Sequence, residues 1–221
     1  FMISTTDFSI RSILGGYDKN FTYVITCNKT GIQVIIDAAI DLKHISHYLN
    51  NQPRAVLITH THGDHTAYLE EYTKAFPNMI ILGHPYSSTE LYKVRFKSLE
   101  HKQLFNIGKL AFTAIHTPGH YFDSICYHLD SVLFTGDTLF VGRTGRVLSQ
   151  RSNCNDLYNS VYKSILTLPK NTRIYPGHDY GDRPSITLEQ NIKISPLLQA
   201  QNNNDFKLRM DDYEANRNMT S

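Results

Sequence analysis

Four apolar runs of strand character in this chain each end in a glycine-containing turn that presents histidine or aspartate. AVLIT (55–59) leads into HTHGDH (60–65) and KLAFTAIH (109–116) into TPGH (117–120). VLFTG (132–136) leads into DTLF (137–140), and TRIYPG (172–177) into HDY (178–180). A fold with this pattern buries the runs and leaves their ends free. Loops at strand ends on a rigid sheet are where binding and catalytic groups are commonly held. The chemistry is therefore expected along strand ends.

The segments between alternate in kind. TYVIT (22–26) and IQVIIDAA (32–39) are β-rich and separated by the turn signal CNKTG. DLKHISHYLN (41–50) has the apolar spacing of a helix, as does HTAYLEEYTKAF (65–76), which Pro77 closes. MIIL (79–82) and SICYHL (124–129) are further strands, and NDLYNSVYKSILTL (155–168) is an amphipathic helix with Asn155 as its cap. Helical patterns near 187–200 and 204–217 follow. No Gly-, Ser- or Pro-rich linker divides the chain, so one α/β domain is expected over residues 1–221, with a C-terminal helical tail at about 187–217.

Composition removes several function classes. With 41% apolar and 19% charged residues, the 221-residue chain reads as globular. A net charge of +2 without any block of like charge argues against a nucleic-acid partner. No run approaches the roughly 18 apolar residues of a membrane helix. The opening FMISTTDFSIRS lacks a basic segment followed by an apolar one, and the three cysteines show no CxxC spacing. A cytoplasmic protein with reduced thiols is expected. Nothing in the sequence sets the oligomeric state.

His60 and His62 sit two apart in extended backbone, so both rings can face one ion. Asp64 and His65 follow Gly63, where a turn can aim them at a neighbouring point. Four coordinating residues in six positions indicate more than one metal. His120, Asp137 and His178 are presented by the other turns. His44, His47, His101 and His128 read as structural, whereas His84 and His116 lie near the site with nothing marking them as ligands.

These fragments resemble the metallo-β-lactamase superfamily over most of the chain, from about Tyr23 to Tyr180. Its HxHxDH signature is met by His60, His62, Asp64 and His65, and its later ligand positions by His120, Asp137 and His178. The resemblance implies a four-layer αββα sandwich with the site along one edge. It implies two divalent metal ions, Zn²⁺ first, with Fe or Mn also accepted by such ligands. His60, His62 and His120 would hold the first; Asp64, His65 and His178 the second; Asp137 would bridge. Two ions about 3.5–4 Å apart suit hydrolysis, with Asp64 and Asp137 as catalytic carboxylates.

Within the superfamily, TPGH, FTGDTLF and PGHDY look most like the glyoxalase II group, the hydroxyacylglutathione hydrolases. A small-molecule thioester, such as a glutathione conjugate, is the substrate that likeness implies. Arg146 and Tyr180 match that group's substrate-side arginine and tyrosine. The match is incomplete: VGRTGR lacks the group's cysteine, and 41 residues follow Tyr180, too few for its long helical glutathione-binding domain. The alternative resemblance is to persulfide dioxygenase, which shares a segment like YPGHDY and would use one iron held by His60, His120 and Asp137. A β-lactamase, which needs export, a nuclease, which needs a basic face, and a non-catalytic module rank lower.

Overall fold

The computed structural model describes residues 2–4, 7–50, 53–89 and 95–217. Seven strands form a first sheet in chain order: β1 (Met2–Ser4), β2 (Phe8–Gly15), β3 (Asn20–Cys27), β4 (Gln33–Ile36), β5 (Ala55–Leu57), β6 (Ile80–Gly83) and β7 (Phe96–Ser98). β1 to β4 pair antiparallel and β4 to β7 parallel. The second sheet holds β8 (Leu104–Ile107), β9 (Leu110–His116), β10 (Ile125–Leu129), β11 (Val132–Gly136), β14 (Arg173–Pro176) and β15 (Ile186–Thr187), in the order β15-β14-β11-β10-β9-β8. Between β11 and β14 the chain makes a small hairpin, β12 (Leu139–Phe140) with β13 (Arg143–Thr144).

Three apolar seams make four layers. Tyr23, Ile25, Val34 and Leu57 of the first sheet meet Phe112, Tyr127, Phe134 and Tyr175 of the second between the sheets. Their strand neighbours Val24, Ile35 and Val56 point the other way, onto Ile45, Leu69 and Tyr72. Cys126, Leu133 and Ile174 likewise turn outward onto Leu157, Val161, Leu188 and Phe206. A strand buried on both faces reads as a continuous apolar run, which is why QVII and VLFTG show no alternation. The observed fold is the αββα sandwich expected.

The helices are shorter than their patterns suggest. Residues 41–50 hold only α1 (Leu42–Ile45), capped by Asp41, and then a 3₁₀ turn (Ser46–Tyr48). Residues 65–76 fall into α2 (Gly63–Thr66) and α3 (Leu69–Ala75). At that break Ala38 donates its N–H to the His65 carbonyl at 3.0 Å and accepts from the Tyr68 N–H at 2.9 Å. Tertiary bonds there replace helical ones. α4 (Cys154–Asn159) continues as a π turn (Ser160–Ile165). Its cap is Asn153, not Asn155: the Asn153 side chain accepts from the Asp156 N–H, while Asn155 lies inside the first turn. α5 (Leu188–Ile194) ends before Pro196, and α6 (Asn203–Arg217) docks through buried Phe206 and Met210.

Among the described residues no helix is long and apolar enough to cross a membrane.

Candidate metal centre

Two buried tyrosines tie the sheets together beneath the site. The Tyr23 hydroxyl donates to the Pro176 carbonyl at 2.6 Å, and Tyr127 to the Ile58 carbonyl at 2.6 Å. Each accepting strand then runs directly into its histidines. Beyond β5, Thr59 donates both its N–H and its hydroxyl to the Asp37 carboxylate, each at 2.7 Å. Thr61 donates its hydroxyl to the buried Asp123 at 2.6 Å. The loop carrying His60 and His62 is thus fixed on both sides by carboxylates. Asp137 leaves β11 at Gly136, whose φ of +48° favours glycine.

All seven side chains converge. The His62 Nδ1 lies 2.9 Å from His60 Nε2 and 3.0 Å from His120 Nε2. Asp137 stands 3.2 Å from both His65 and His178 and 3.6 Å from His120. Asp64 is 3.5 Å from His65 and 3.3 Å from His178. Their donor atoms form three overlapping groups, each within 4.8 Å: His60, His62 and His120; His60, His65 and Asp137; Asp64, His65 and His178.

The hydrogen bonds around these rings set the direction of their lone pairs. His120 donates through Nδ1 to the Arg146 carbonyl at 2.8 Å, His178 to the Asp18 carbonyl at 2.7 Å and His65 to Asp37 at 2.8 Å. His60 Nδ1 faces the Thr59 hydroxyl oxygen at 3.2 Å, whose own proton is committed to Asp37. Four Nε2 atoms therefore point inward, the arrangement outer partners impose on metal-ligating histidines. Asp137 Oδ1 is buried without a hydrogen-bond donor. Divalent cations satisfy inward imidazole nitrogens and carboxylate oxygens together, and the donor set fits such ions.

The electrostatics divide the cluster. Burial and the neighbouring rings push His60 well below the ordinary imidazole range, and His62 falls to about 4. Burial alone would depress His65 and His178, but the carboxylates outweigh it: Asp137 and Asp37 lift His65, and Asp137 and Asp64 bring His178 to about 9. Burial opposes ionisation of Asp64 and Asp137, yet the adjoining histidines hold both below the usual carboxylate range.

A cleft of about 130 Å³ opens beside the cluster, lined by Phe140, Arg143, Arg146, Tyr180 and Arg217 together with His120 and Asp137. Tyr180 stacks on the His178 ring at 4.7 Å, and its hydroxyl donates to Asp18. The Arg143 guanidinium lies 4.5 Å above Tyr180 and donates to the Tyr213 hydroxyl at 2.7 Å. Arg146 forms a two-pronged ion pair with Glu214 of α6. Arg209 bonds Asp205 and the Pro196 carbonyl. A larger cavity of about 580 Å³, with Cys27 and Lys109 in its wall, lies at the far end of β3 and shares no residue with the cluster.

Sequence reasoning missed Asp37, Asn20 and Asp123. Asn20 is buried and donates to Asp64 at 2.8 Å. The signal for Asp37 is an acid closing the apolar run QVIID. His84 and His116 stack on each other at 3.8 Å, outside the seven-residue cluster.

The profile of the Metallo-beta-lactamase superfamily matches residues 15–178. A probable polyketide biosynthesis zinc-dependent hydrolase, BaeB, of Bacillus velezensis is 29% identical over 196 residues, 85% of each chain. A hydroxyacylglutathione hydrolase of Francisella tularensis subsp. novicida is 27% identical, covering 92% of this chain and 88% of its own. Among solved structures, ETHE1 from Myxococcus xanthus superposes with a TM-score of 0.81 at 27% identity, over 92% and 90% of the two chains.

Proposed function

The chain belongs to the metallo-beta-lactamase superfamily, and from that premise we propose that it is a binuclear metal-dependent hydrolase of thioesters carried on an anionic thiol such as glutathione. The observation that carries this reading is the inward orientation of the four anchored imidazoles towards Asp64 and Asp137. His60, His62 and His120 would hold one ion and Asp64, His65 and His178 the other, with Asp137 placed between the two groups. Bound divalent ions would polarise the acyl carbonyl and bring the pKa of water to about 7.

The chain's own groups do the rest. Asp64, steadied by Asn20, orients the attacking water, and Asp137 sets the spacing between the two halves of the cluster. Arg146 and Tyr180, with Arg143 above the Tyr180 ring, receive the anionic part of the substrate. Likeness to a hydroxyacylglutathione hydrolase supports the thioester class. Metal content per chain, on protein purified without oxygen or added metal, tests the reading. About two ions with thioester turnover supports it; His62→Ala or Asp137→Ala with near-wild-type turnover overturns it.

A persulfide dioxygenase is the second reading, favoured by the likeness to ETHE1. About one iron per chain, with oxygen consumed in the presence of glutathione persulfide, would select it.

A further inference from the structure

Two chemically opposite surfaces flank the cluster: the cleft on one side and a run of aromatic rings outside it on the other. On the His178 side stand Tyr180, Arg143, Arg146 and Arg217. On the His62 side the chain continues from His120 into Tyr121 and Phe122. The Tyr121 ring centroid lies 4.0 Å from that of His62 and 6.1 Å from that of His60. Phe122 meets Tyr121 at 4.9 Å and is followed by Tyr86 at 6.2 Å, nearly parallel to it. The Arg151 guanidinium covers Phe122 at 4.2 Å. The result is an aromatic shelf leading outward from the first group of histidines, with Tyr86 62% exposed.

We infer that Tyr121, Phe122 and Tyr86 form the acyl end of the site and select apolar acyl groups over short hydroxylated ones such as lactoyl. This rests on the thioesterase reading above. A thioester whose carbonyl carbon sits beside the cluster, between His120 and Asp137, has one arm towards the cleft and one towards the aromatic rings. The anionic carrier is drawn to the arginines, because a carboxylate is satisfied there by charge-assisted hydrogen bonds. The acyl arm then lies against ring faces, where apolar surface is withdrawn from water. Hydrolysis adds water across the C–S bond: the water oxygen joins the acyl carbon, the thiol leaves with one proton, and the acid releases the other to solvent. A shelf covers one side of an alkyl chain, so it supplies about half of full burial, or about twofold in kcat/KM per added methylene.

The test compares S-lactoyl, S-propanoyl and S-hexanoyl thioesters of both glutathione and coenzyme A, using the metal-loaded enzyme. Hexanoyl should exceed propanoyl by about eightfold in kcat/KM on the preferred carrier. Phe122→Ala, and independently the exposed Tyr86→Ala, should reduce that ratio at least threefold. Equal kcat/KM for propanoyl and hexanoyl, a lactoyl preference, or a ratio unmoved by both variants overturns the inference and leaves the hydrolase reading standing. If no thioester of either carrier is hydrolysed, the hydrolase reading falls and the inference with it.

Discussion

Arg146 reaches Glu214 through two hydrogen bonds, Nε at 2.8 Å and Nη2 at 2.7 Å, while its own carbonyl accepts the Nδ1–H of His120. One residue thus joins the C-terminal helix to a metal-facing ring. A double-mutant cycle of Arg146→Ala and Glu214→Ala, read by urea unfolding, should give a coupling of about 1 kcal/mol, since both groups are partly solvated. KM should move in opposite directions. Arg146→Ala raises it by removing a cation from the cleft, and Glu214→Gln lowers it by freeing that cation. A rise in both would leave Arg146 as a strap alone.

Asp37 accepts from Thr59 twice and from His65 once. In Asp37→Asn the amide can keep the Thr59 N–H but presents N–H towards His65 Nδ1. That reverses the ring's tautomer and aims a proton into the cluster. A loss of about 10–100-fold in zinc affinity is expected by chelator competition. Unchanged affinity would show that Asp37 only shapes the loop.

Gly177 leaves no room for a side chain: a Cβ there would lie 2.3 Å from Asp137 Oδ1 and 2.8 Å from the His65 ring. Gly177→Ala should therefore displace Asp137 and reduce bound metal after dialysis by at least half an ion per chain, about a tenfold weakening or more. Full metal occupancy in the variant would contradict this packing argument.

Proton competition sets the pH profile of metal uptake. With the metal-free ring of His178 at about 9, the group is protonated at pH 7 and an entering ion must displace that proton. Zinc affinity should rise about tenfold per pH unit for each proton displaced, up to about pH 9, and flatten above it. Titration calorimetry in buffers of different ionisation heat counts the protons released. Uptake at pH 7 without release would refute the assignment.

The convergence of the seven side chains was legible because each follows an apolar run and a turn, and such local grammar survives folding. Strands buried on both faces, such as VLFTG, were equally plain. β2 was not picked out, although FSIRSILG alternates as a strand should. Short partners such as β7 and β13 exist only because a neighbouring strand supplies hydrogen bonds, so no local pattern marks them. Helix lengths failed for the same reason: Ala38, 27 residues before His65, captures the backbone groups at the break in 65–76. Asn20 lies far from the motifs in sequence, and Asp123, though only three residues past His120, meets Thr61 of the other motif across 62 residues, so both contacts exist only after the sheets stack. Arg143 meets Tyr213 across 70 residues, beyond any motif's reach.

His60, His62, Asp64 and His65 hang from the first sheet; His120, Asp137 and His178 hang from the second. On the proposed reading, ions held between them would fasten the two halves of the molecule as a clasp does, without a covalent link. Prying the sandwich apart and surrendering the ions become a single equilibrium. Free metal at a thousandfold excess over its dissociation constant adds about 4 kcal/mol to the closed form. A chelator would then act as a denaturant, and the supply of metal would govern how long each copy survives proteolysis as well as how fast it works.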